Sequence, residues 1–459
     1  MDFEFTIKKL GNIDEANLTV KPFTVIAGEN SSGKTFATKC LYCVLDALNQ
    51  DHVSYAIESK ISIIQDEVNE FEEVIKRPSN SDNEFIKYIK GIVIPYLQKT
   101  LLQYESKPFI LQTLPESKNL GDLHFHDLQI KNYLEKTKDK TKYIPIHTNL
   151  YNLYATFKEI VSLITNCENT VVTGIENTLS ENIKTNFQVT DYSLLINNTA
   201  PTNKAEITID TIGNITMSQS NDLSFSFTHQ GIEKIQNLRH IVYVDSPAYL
   251  KIRKGLQKRG LASRLFQFED KRKYLSGYPQ YIDKLYDFID MEYIGQADFL
   301  NLSTEIQELT HGQFRVAKSG DITFETSQGK NIPLSLTAMG ISNMGLLELL
   351  IRNNVINKGS FLIIDEPEAH LHPKWQVFLV KLLYQIAKAG ANIIIATHSI
   401  DIIKAIENLL KQEDGADELI SLNQMPFDIE SKKKTELEKA AAILNDLSEP
   451  YLELYLEGN

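Results

Sequence analysis

Residues 28 to 35 read Gly28-Glu29-Asn30-Ser31-Ser32-Gly33-Lys34-Thr35, and that octapeptide leaves the chain few ways to fold. A short apolar, β-branched run, Phe23-Thr24-Val25-Ile26-Ala27, precedes it with the composition of a buried strand. Phe36 to Leu48 follows with helix formers and neither Gly nor Pro. A glycine-bounded turn between a strand and a helix N-terminus aims successive backbone N–H groups, those of Asn30, Ser31 and Gly33 among them, at one point. The helix start adds partial positive charge, which favours an anion there. Gly28 and Gly33 let the backbone curl, Lys34 is spaced to reach β- and γ-phosphates, and the Thr35 hydroxyl is spaced to ligate Mg²⁺. These residues predict a nucleotide-phosphate site.

The chain has 459 residues, room for two or three domains or one large domain with insertions. A net charge of −13 argues against a uniformly basic nucleic-acid binder, though it leaves room for a local basic patch. No apolar run approaches about 18 residues, so no membrane span is expected. Met1-Asp2-Phe3-Glu4-Phe5 lacks the basic and apolar regions of a signal peptide, and a cytoplasmic protein is expected. Cys40 and Cys43 stand one helical turn apart among Leu41, Val44 and Leu45, with no second Cys/His pair at ligand spacing. Buried packing, not zinc or redox chemistry, is the expectation for them. Cys167 is isolated, and His124 and His126 around Phe125 are expected at the surface or against a partner.

Taken in order, residues 3 to 26 predict two or three strands broken at Gly11-Asn12 and Lys21-Pro22. From 51 to 185 the periodicity is helical, with Ile57, Ile61, Ile64, Val68, Phe71 and Val74 recurring at three and four residues. More helix is expected near 83–105 and 149–165, separated by Pro78, Pro95, Pro108 and Pro115. The heptads run too few turns for a long coiled-coil arm, so a compact helical insertion is predicted. Residues 186 to 234 read as a β segment: Ala205 to Asp210, Ile215 to Ser218 and Leu223 to Phe227 alternate, with a turn at Gly213-Asn214. His240 to Asp245 predicts a buried strand, 250 to 310 a mixed-charge helical section, and Phe314 to Phe324 a hairpin turning at Ser319-Gly320. The layout is an α/β core split into 1–50 and 235–425, with the insertion at 51–185, an antiparallel β lobe at 186–234, and a helical tail at 426–459 that is a candidate partner-binding element.

The second half of the site lies further along the chain. Phe361-Leu362-Ile363-Ile364 has the pattern of a buried parallel strand, and it ends in Asp365-Glu366. Strand C-terminal ends are where ligands sit in open α/β sheets, so Asp365 is a candidate to hold Mg²⁺ directly or through water. Glu366 is placed to orient or deprotonate an attacking water. A second buried run, Asn392 to Ala396, ends in Thr397-His398-Ser399, and His398 there is positioned to donate a hydrogen bond to a γ-phosphate.

These residues resemble the ABC-type ATPase heads of soluble proteins, the group containing SMC, RecF and overcoming-lysogenization-defect (OLD) ATPases. Phe361 to Glu366 is similar to their Walker B motif, Pro367 to Pro373 to their D-loop region, and His398 to their switch histidine. Glu366-Pro367-Glu368-Ala369-His370-Leu371-His372-Pro373 resembles the OLD branch in particular, which is rich in bacterial anti-phage defence ATPases. The resemblance covers residues 1–50 and about 235–410, and it implies an ABC-type head: a mixed β-sheet with the phosphate-loop core, an antiparallel lobe and a variable helical insertion. It implies ATP and Mg²⁺ as cofactors, and heads that pack head to tail with two ATP molecules between them. The family signature before a helix is degenerate here, running from Leu334 to Gly345. Gly340 stands for the signature glycine, and either Ser335 or Thr337 supplies the hydroxyl. Loss of the tight Ser-Gly pair implies slow hydrolysis, or a state locked on ATP. The family's glutamine-loop role has only a positional candidate, Asp245 or Ser246.

OLD proteins continue into a Toprim nuclease domain, and the 61 residues after His398 are too few for one. A separate effector chain, a nuclease or toxin, is therefore expected, as in two-gene anti-phage systems of the Septu or PARIS type. The tail instead offers a strand-like Leu419 to Leu422, a helix from Thr435 to Leu447, and Lys432-Lys433-Lys434 as a solvated helix start. Two other classes stay open: a RecF- or SMC-like repair ATPase clamping DNA in the ATP-bound dimer, and the detached ATPase of a transporter.

Overall fold

The computed structural model describes the whole chain except residues 76, 106–116, 198–202, 229–237, 254, 257–276, 318 and 458–459. Pro108, Pro115 and the middle of the 250–310 section fall outside the described residues. The chain divides into two compact units, Met1–Asn49 with Thr178–Asn459, and Gln50–Asn177.

The first unit is built on three sheets. Strands β1 (Phe3–Leu10) and β2 (Ile13–Val20) form a hairpin across Gly11-Asn12, where Gly11 takes φ 61°. Their alternate residues Phe3, Phe5, Ile7, Leu18 and Val20 are buried, as period-2 patterning demands. β1 also pairs with β4 (Lys204–Ile209), which continues through β5 (Gly213–Ser218) to β6 (Leu223–Phe227), all antiparallel in the order β2-β1-β4-β5-β6. The second sheet carries the site. Strands β3 (Phe23–Gly28), β7 (Ile241–Val244), β11 (Phe361–Asp365), β12 (Asn392–Thr397) and β13 (Ile420–Met425) lie in the order β13-β3-β12-β11-β7, every pair parallel. Their near-continuous apolar runs follow from burial on both faces. The third sheet is β8 (Gly312–Val316), β9 (Ile322–Thr326) and β10 (Asn331–Pro333), again antiparallel. The α/β core with an antiparallel lobe is as expected, but the sheet that carries the phosphate loop is parallel throughout and not mixed, the antiparallel pairs lying in the other two sheets.

Helix α1 (Lys34–Leu48) packs on the parallel sheet, and its Cys40 and Cys43 are buried. Burial pushes both thiols up, that of Cys43 to about 12, so neither is a ready nucleophile or metal ligand.

The second unit is helical, formed by α2 (His52–Val74), α3 (Asn80–Tyr88), α4 (Ile94–Glu105), α5 (Ser117–Thr137), α6 (His147–Thr165) and the first part of α7 (Cys167–Phe187). The head resumes at Thr178 inside α7, ahead of the β segment expected from 186. The stripe Ile57, Ile61, Ile64, Val68, Phe71 on α2 is buried, while Val74 at its end is 39% exposed. Pro95 does not separate helices: a π-helical stretch, Ile89–Val93, joins α3 to α4 just ahead of it, and its wider turn accommodates the proline and its missing N–H. Asp82 is fully buried, caps α3 with Ser79, and accepts from Tyr133, Tyr143 and Lys142 at 2.7 to 2.8 Å. His126 is buried too, with its Nδ1 2.6 Å from the Tyr88 hydroxyl, contrary to the surface placement its polar neighbours suggest, whereas His124 is exposed.

Two further helices, α8 (Tyr281–Asp290) and α9 (Leu300–Thr310), precede the β8–β10 sheet. Helix α10 (Met339–Arg352) packs on β8 and α9, and its Gly345 faces Phe314. Helices α11 (Pro373–Lys388) and α12 (Ile400–Gln412) flank β12, and the short α13 (Ala416–Leu419) precedes β13. The C-terminal α14 (Glu436–Glu457) packs on α12 and β13, burying Ala440 and Ile443.

A Cβ on Gly345 would stand 2.3 Å from a Phe314 ring carbon, so that fully buried ring would have to move. Overpacking costs about 1–3 kcal/mol, more than the ~1 kcal/mol of helix propensity that alanine gains over glycine. Gly345→Ala is expected to lower the urea midpoint at an unchanged m-value, and an unchanged or higher midpoint would show that Phe314 has room.

Candidate nucleotide-binding and hydrolysis site

The parallel register sets the geometry. Ala27 pairs with Thr397, Ala396 with Asp365, and Ile364 with Val244, so the C-terminal ends of β3, β12, β11 and β7 share one edge. The phosphate loop leaves β3 at that edge. Gly28 takes φ 154° and Gly33, the residue before α1, takes φ 98°. A Cβ on Gly28 would stand 2.0 Å from the Met425 carbonyl oxygen, and one on Gly33 would stand 2.9 Å from Ile13. At Gly28 a side chain would run into backbone, and at Gly33 it would meet the Ile13 side chain from a φ that L-residues rarely adopt, which is why the pattern needs glycine at both. Ser31 adopts a left-handed φ of 64°, and its carbonyl accepts from the Asn12 side-chain amide at 2.6 Å.

The Lys34 ammonium is buried within the loop, donating to the carbonyls of Gly28 at 2.8 Å and Glu29 at 2.6 Å. Burial draws its pKa down, and the carboxylates of Asp365, Glu366, Glu368 and Glu29 oppose that shift. Asp365 is buried, and burial raises its carboxyl above the ordinary range. The Thr35 hydroxyl and the Lys39 charge pull it back, while Glu366 and Asp245 push it further up. Asp365 Oδ1 is buried with no hydrogen-bond partner among the described residues. The unpartnered oxygen and the adjacent Thr35 hydroxyl are the hard oxygen donors that Mg²⁺ takes, and Mg²⁺ commonly draws its other ligands from water and substrate phosphates. The residues fit that ion. Among the described residues, no group of three or more His, Cys, Asp or Glu side chains forms a self-contained metal cage.

Glu366 takes φ 51° at the end of β11, and its carboxylate Oε1 stands 3.6 Å from His398 Nδ1 at the end of β12. Thus the residues singled out at three points of the sequence, Lys34 with Thr35, Asp365 with Glu366, and His398, lie at one sheet edge. Asn30, Ser31, Gly33, Lys34, Thr35 and Glu366 line a cavity of about 430 Å³. Ser335 and Gly340 do not line it. Ser335 is exposed in a turn, Leu334–Leu336. Gly340 lies in the first turn of α10, where an added Cβ would stand 2.8 Å from the His370 carbonyl oxygen.

Several residues of the site carried no sequence signal. Asn12, Phe36, Lys39 and Phe187 line the same cavity, and the Phe36 and Phe187 rings are 4.7 Å apart. Lys39 follows Thr35 by four residues on α1, the one helical spacing that marks it as a neighbour. The Ser32 hydroxyl is buried in the loop without a partner among the described residues. Asp245, the positional candidate singled out after β7, has its carboxyl held up by burial and accepts a hydrogen bond from the Tyr281 hydroxyl.

Asp365→Asn separates chemistry from stability. A folded-state carboxyl pKa above the unfolded one disfavours the ionised form, so this group's stabilising contribution is present at low pH and lost as pH rises through the folded value. Asp365→Asn is therefore expected to raise the melting midpoint of the nucleotide-free protein at pH 7, with the gain shrinking on acidification. Mg²⁺-dependent ATP hydrolysis is expected to fall by about 10²-fold or more. Calorimetry at two pH values, beside a phosphate-release assay, checks both; a midpoint that drops at pH 7 would contradict the electrostatic account.

A family model described as an AAA ATPase domain matches residues 3–403. Over 115 residues the chain is 28% identical to the DNA double-strand break repair Rad50 ATPase of Saccharolobus solfataricus, covering 25% of this chain and 13% of that protein. The matched stretch is thus a small part of that relative's length. Among solved structures, an Smc head bound to the C-winged helix domain of ScpA is 12% identical with a TM-score of 0.38, over 88% of this chain and 91% of that one. The SMC head domain from Thermotoga maritima is 10% identical with a TM-score of 0.31, over 88% and 92%. With the family match spanning most of its length and a phosphate loop facing strand-end carboxylates, this chain belongs to the AAA ATPase domain family.

Proposed function

We propose that this chain binds ATP with Mg²⁺, closes head to tail on a second copy, and hydrolyses ATP slowly to reset that closure. The observation that carries the reading is the buried, unpartnered Asp365 Oδ1 beside Thr35, at the sheet edge that also presents Lys34 and Glu366. The loop N–H groups and Lys34 bind the phosphates, with Lys34 exchanging the carbonyls of Gly28 and Glu29 for phosphate oxygens. Thr35 and Asp365 would hold Mg²⁺, which would supply neutralisation of phosphate charge. Glu366 orients the attacking water and accepts its proton. His398, within reach of Glu366, donates to the γ-phosphate side.

The resemblance assigns Ser335 and Gly340 to the nucleotide of a partner head, and the exposure of Ser335 leaves it accessible to one. The downstream role we favour is the sensor and scaffold subunit of a bacterial anti-phage defence complex, controlling a separate nuclease or toxin. Support comes from the OLD-like run Glu366 to Pro373. The tail 426–459 and the helical unit are the candidate effector-binding elements. A second reading, a RecF- or SMC-like clamp on DNA, is favoured by the stretch shared with the DNA double-strand break repair Rad50 ATPase.

Two tests follow. Glu366→Gln is expected to bind ATP, to lose hydrolysis by about 10²- to 10⁴-fold, and to sediment as a dimer only with ATP and Mg²⁺. Retention of a co-expressed effector by that dimer supports the scaffold reading, and ATP-dependent capture of duplex DNA without an effector supports the clamp. Lys34→Ala and Ser335→Arg are each expected to be inactive alone. A random mixture should recover about a quarter of wild-type activity, because half the dimers are mixed and each contains one intact composite site. No recovery on mixing would sink the head-to-tail dimer.

A further inference from the structure

We propose that Glu368 is a positioning residue for hydrolysis, one that holds His398 against Glu366 from beneath the sheet edge. The inference rests on the ATPase reading above and adds a residue to it. Glu368 lies in the turn after β11, and its carboxylate is 8% exposed. The side chains it underlies, Glu366 and His398, are 48% and 41% exposed. A single oxygen, Glu368 Oε1, accepts from the Thr397 hydroxyl at 2.7 Å and from the His398 backbone N–H at 3.1 Å. The same oxygen stands 3.5 Å from His398 Nδ1. With Glu366 Oε1 3.6 Å away, that ring nitrogen is bracketed by two carboxylates, one buried and one facing the cavity.

An imidazole this exposed is not fixed by packing, so its station depends on polar contacts. Its ring nitrogen is approached by Glu366 and Glu368 alike, but its backbone N–H and the preceding Thr397 hydroxyl both go to Glu368. Its second oxygen, Oε2, is buried and has no partner among the described residues. A half-paired buried carboxylate destabilises a fold, and what it holds explains its place better than stability does. The turn is built to deliver it. Glu366 and His370 both adopt left-handed φ values, 51° and 63°, which non-glycine residues accept only where the surroundings impose them. The Glu366 N–H donates to the Ala396 carbonyl at 2.9 Å, tying the turn to β12 one residue before Thr397. A second tie follows on the far side of His398, where the Ser399 hydroxyl donates to Gln376 Oε1 at 2.8 Å. His398 is thus held from the β11 turn on one side and from α11 on the other, and Glu368 both takes its backbone N–H and, with Glu366, faces its ring.

The test uses the full chain with ATP and Mg²⁺. Glu368→Ala is expected to lower kcat by about 10- to 100-fold while ATP affinity stays within about threefold. Glu368→Gln, whose amide oxygen can accept the same two bonds, should keep kcat within about threefold of wild type. His398→Ala and the double variant with Glu368→Ala should share one kcat, because groups acting as a unit are not additive. Independently of activity, amide hydrogen exchange in the segment 393–402 should quicken in Glu368→Ala and stay at the wild-type rate in Glu368→Gln. Unchanged exchange in Glu368→Ala overturns the positioning role even if the protein proves not to hydrolyse ATP. An additive double variant, or a kcat loss matched by lost ATP affinity, overturns it as well.

Discussion

The parallel pairing of β3, β12, β11 and β7 is the constraint on which the rest of the site depends. Gly28 and Asp365 are more than three hundred residues apart in the chain, yet the register places Ala27 opposite Thr397 and Ala396 opposite Asp365. Because side chains alternate along a strand, a slip of one residue in either pairing would turn Asp365 to the other face. The strands that carry this register are buried on both faces: Phe361, Ile363, Ile393, Ile394 and Ile395 are fully buried, as are Phe23, Val25 and Ile26. Met425 on β13 closes the other side of β3, its carbonyl lying where a side chain on Gly28 would have to go.

That convergence has an electrostatic consequence. The carboxylates of Asp245, Asp365, Glu366 and Glu368 gather about the ammonium groups of Lys34 and Lys39 in a partly desolvated edge. Burial moves Asp365 and Asp245 up and Lys34 down, the direction that costs stability in the nucleotide-free protein. A polyphosphate with a divalent cation is complementary to this arrangement, since the lysines meet the anion and the carboxylates meet the cation. The site is therefore poised to gain from its ligand what it gives up without it, the general basis for coupling nucleotide occupancy to conformation.

The route from site to surface runs through one turn. Asn343 of α10 donates to the carbonyls of Pro367 and Ala369 at 3.2 and 3.4 Å, and Gly340 lies against the His370 carbonyl. The first turns of α10 and the residues after Asp365 thus form one packed unit within the head. A load on the start of α10 from a second head would bear directly on the turn that contains Glu366 and Glu368.

Much of this is legible in the order of the amino acids. The phosphate loop, the two apolar runs ending in Asp365-Glu366 and Thr397-His398, and the helical stripe of α2 follow from local rules of glycine conformation, strand burial and helical period, which act within a few residues. The same rules place Cys40 and Cys43 as packing residues, since a pair one helical turn apart on a buried face has nothing to ligate with. Local rules fail where long-range packing decides. They make Pro95 a break, but a π-helical stretch absorbs it, and they leave His126 at the surface, but Tyr88 buries it. They give no sign that Asn12 and Phe187 line the cavity, or that Glu368 accepts from Thr397, contacts that exist only once distant segments meet. The sequence by itself determined that this protein has a phosphate loop and a pair of strand-end carboxylates. Only the tertiary structure decided which side chains stand around them, because a parallel sheet brings together residues whose separation along the chain carries no trace of their contact.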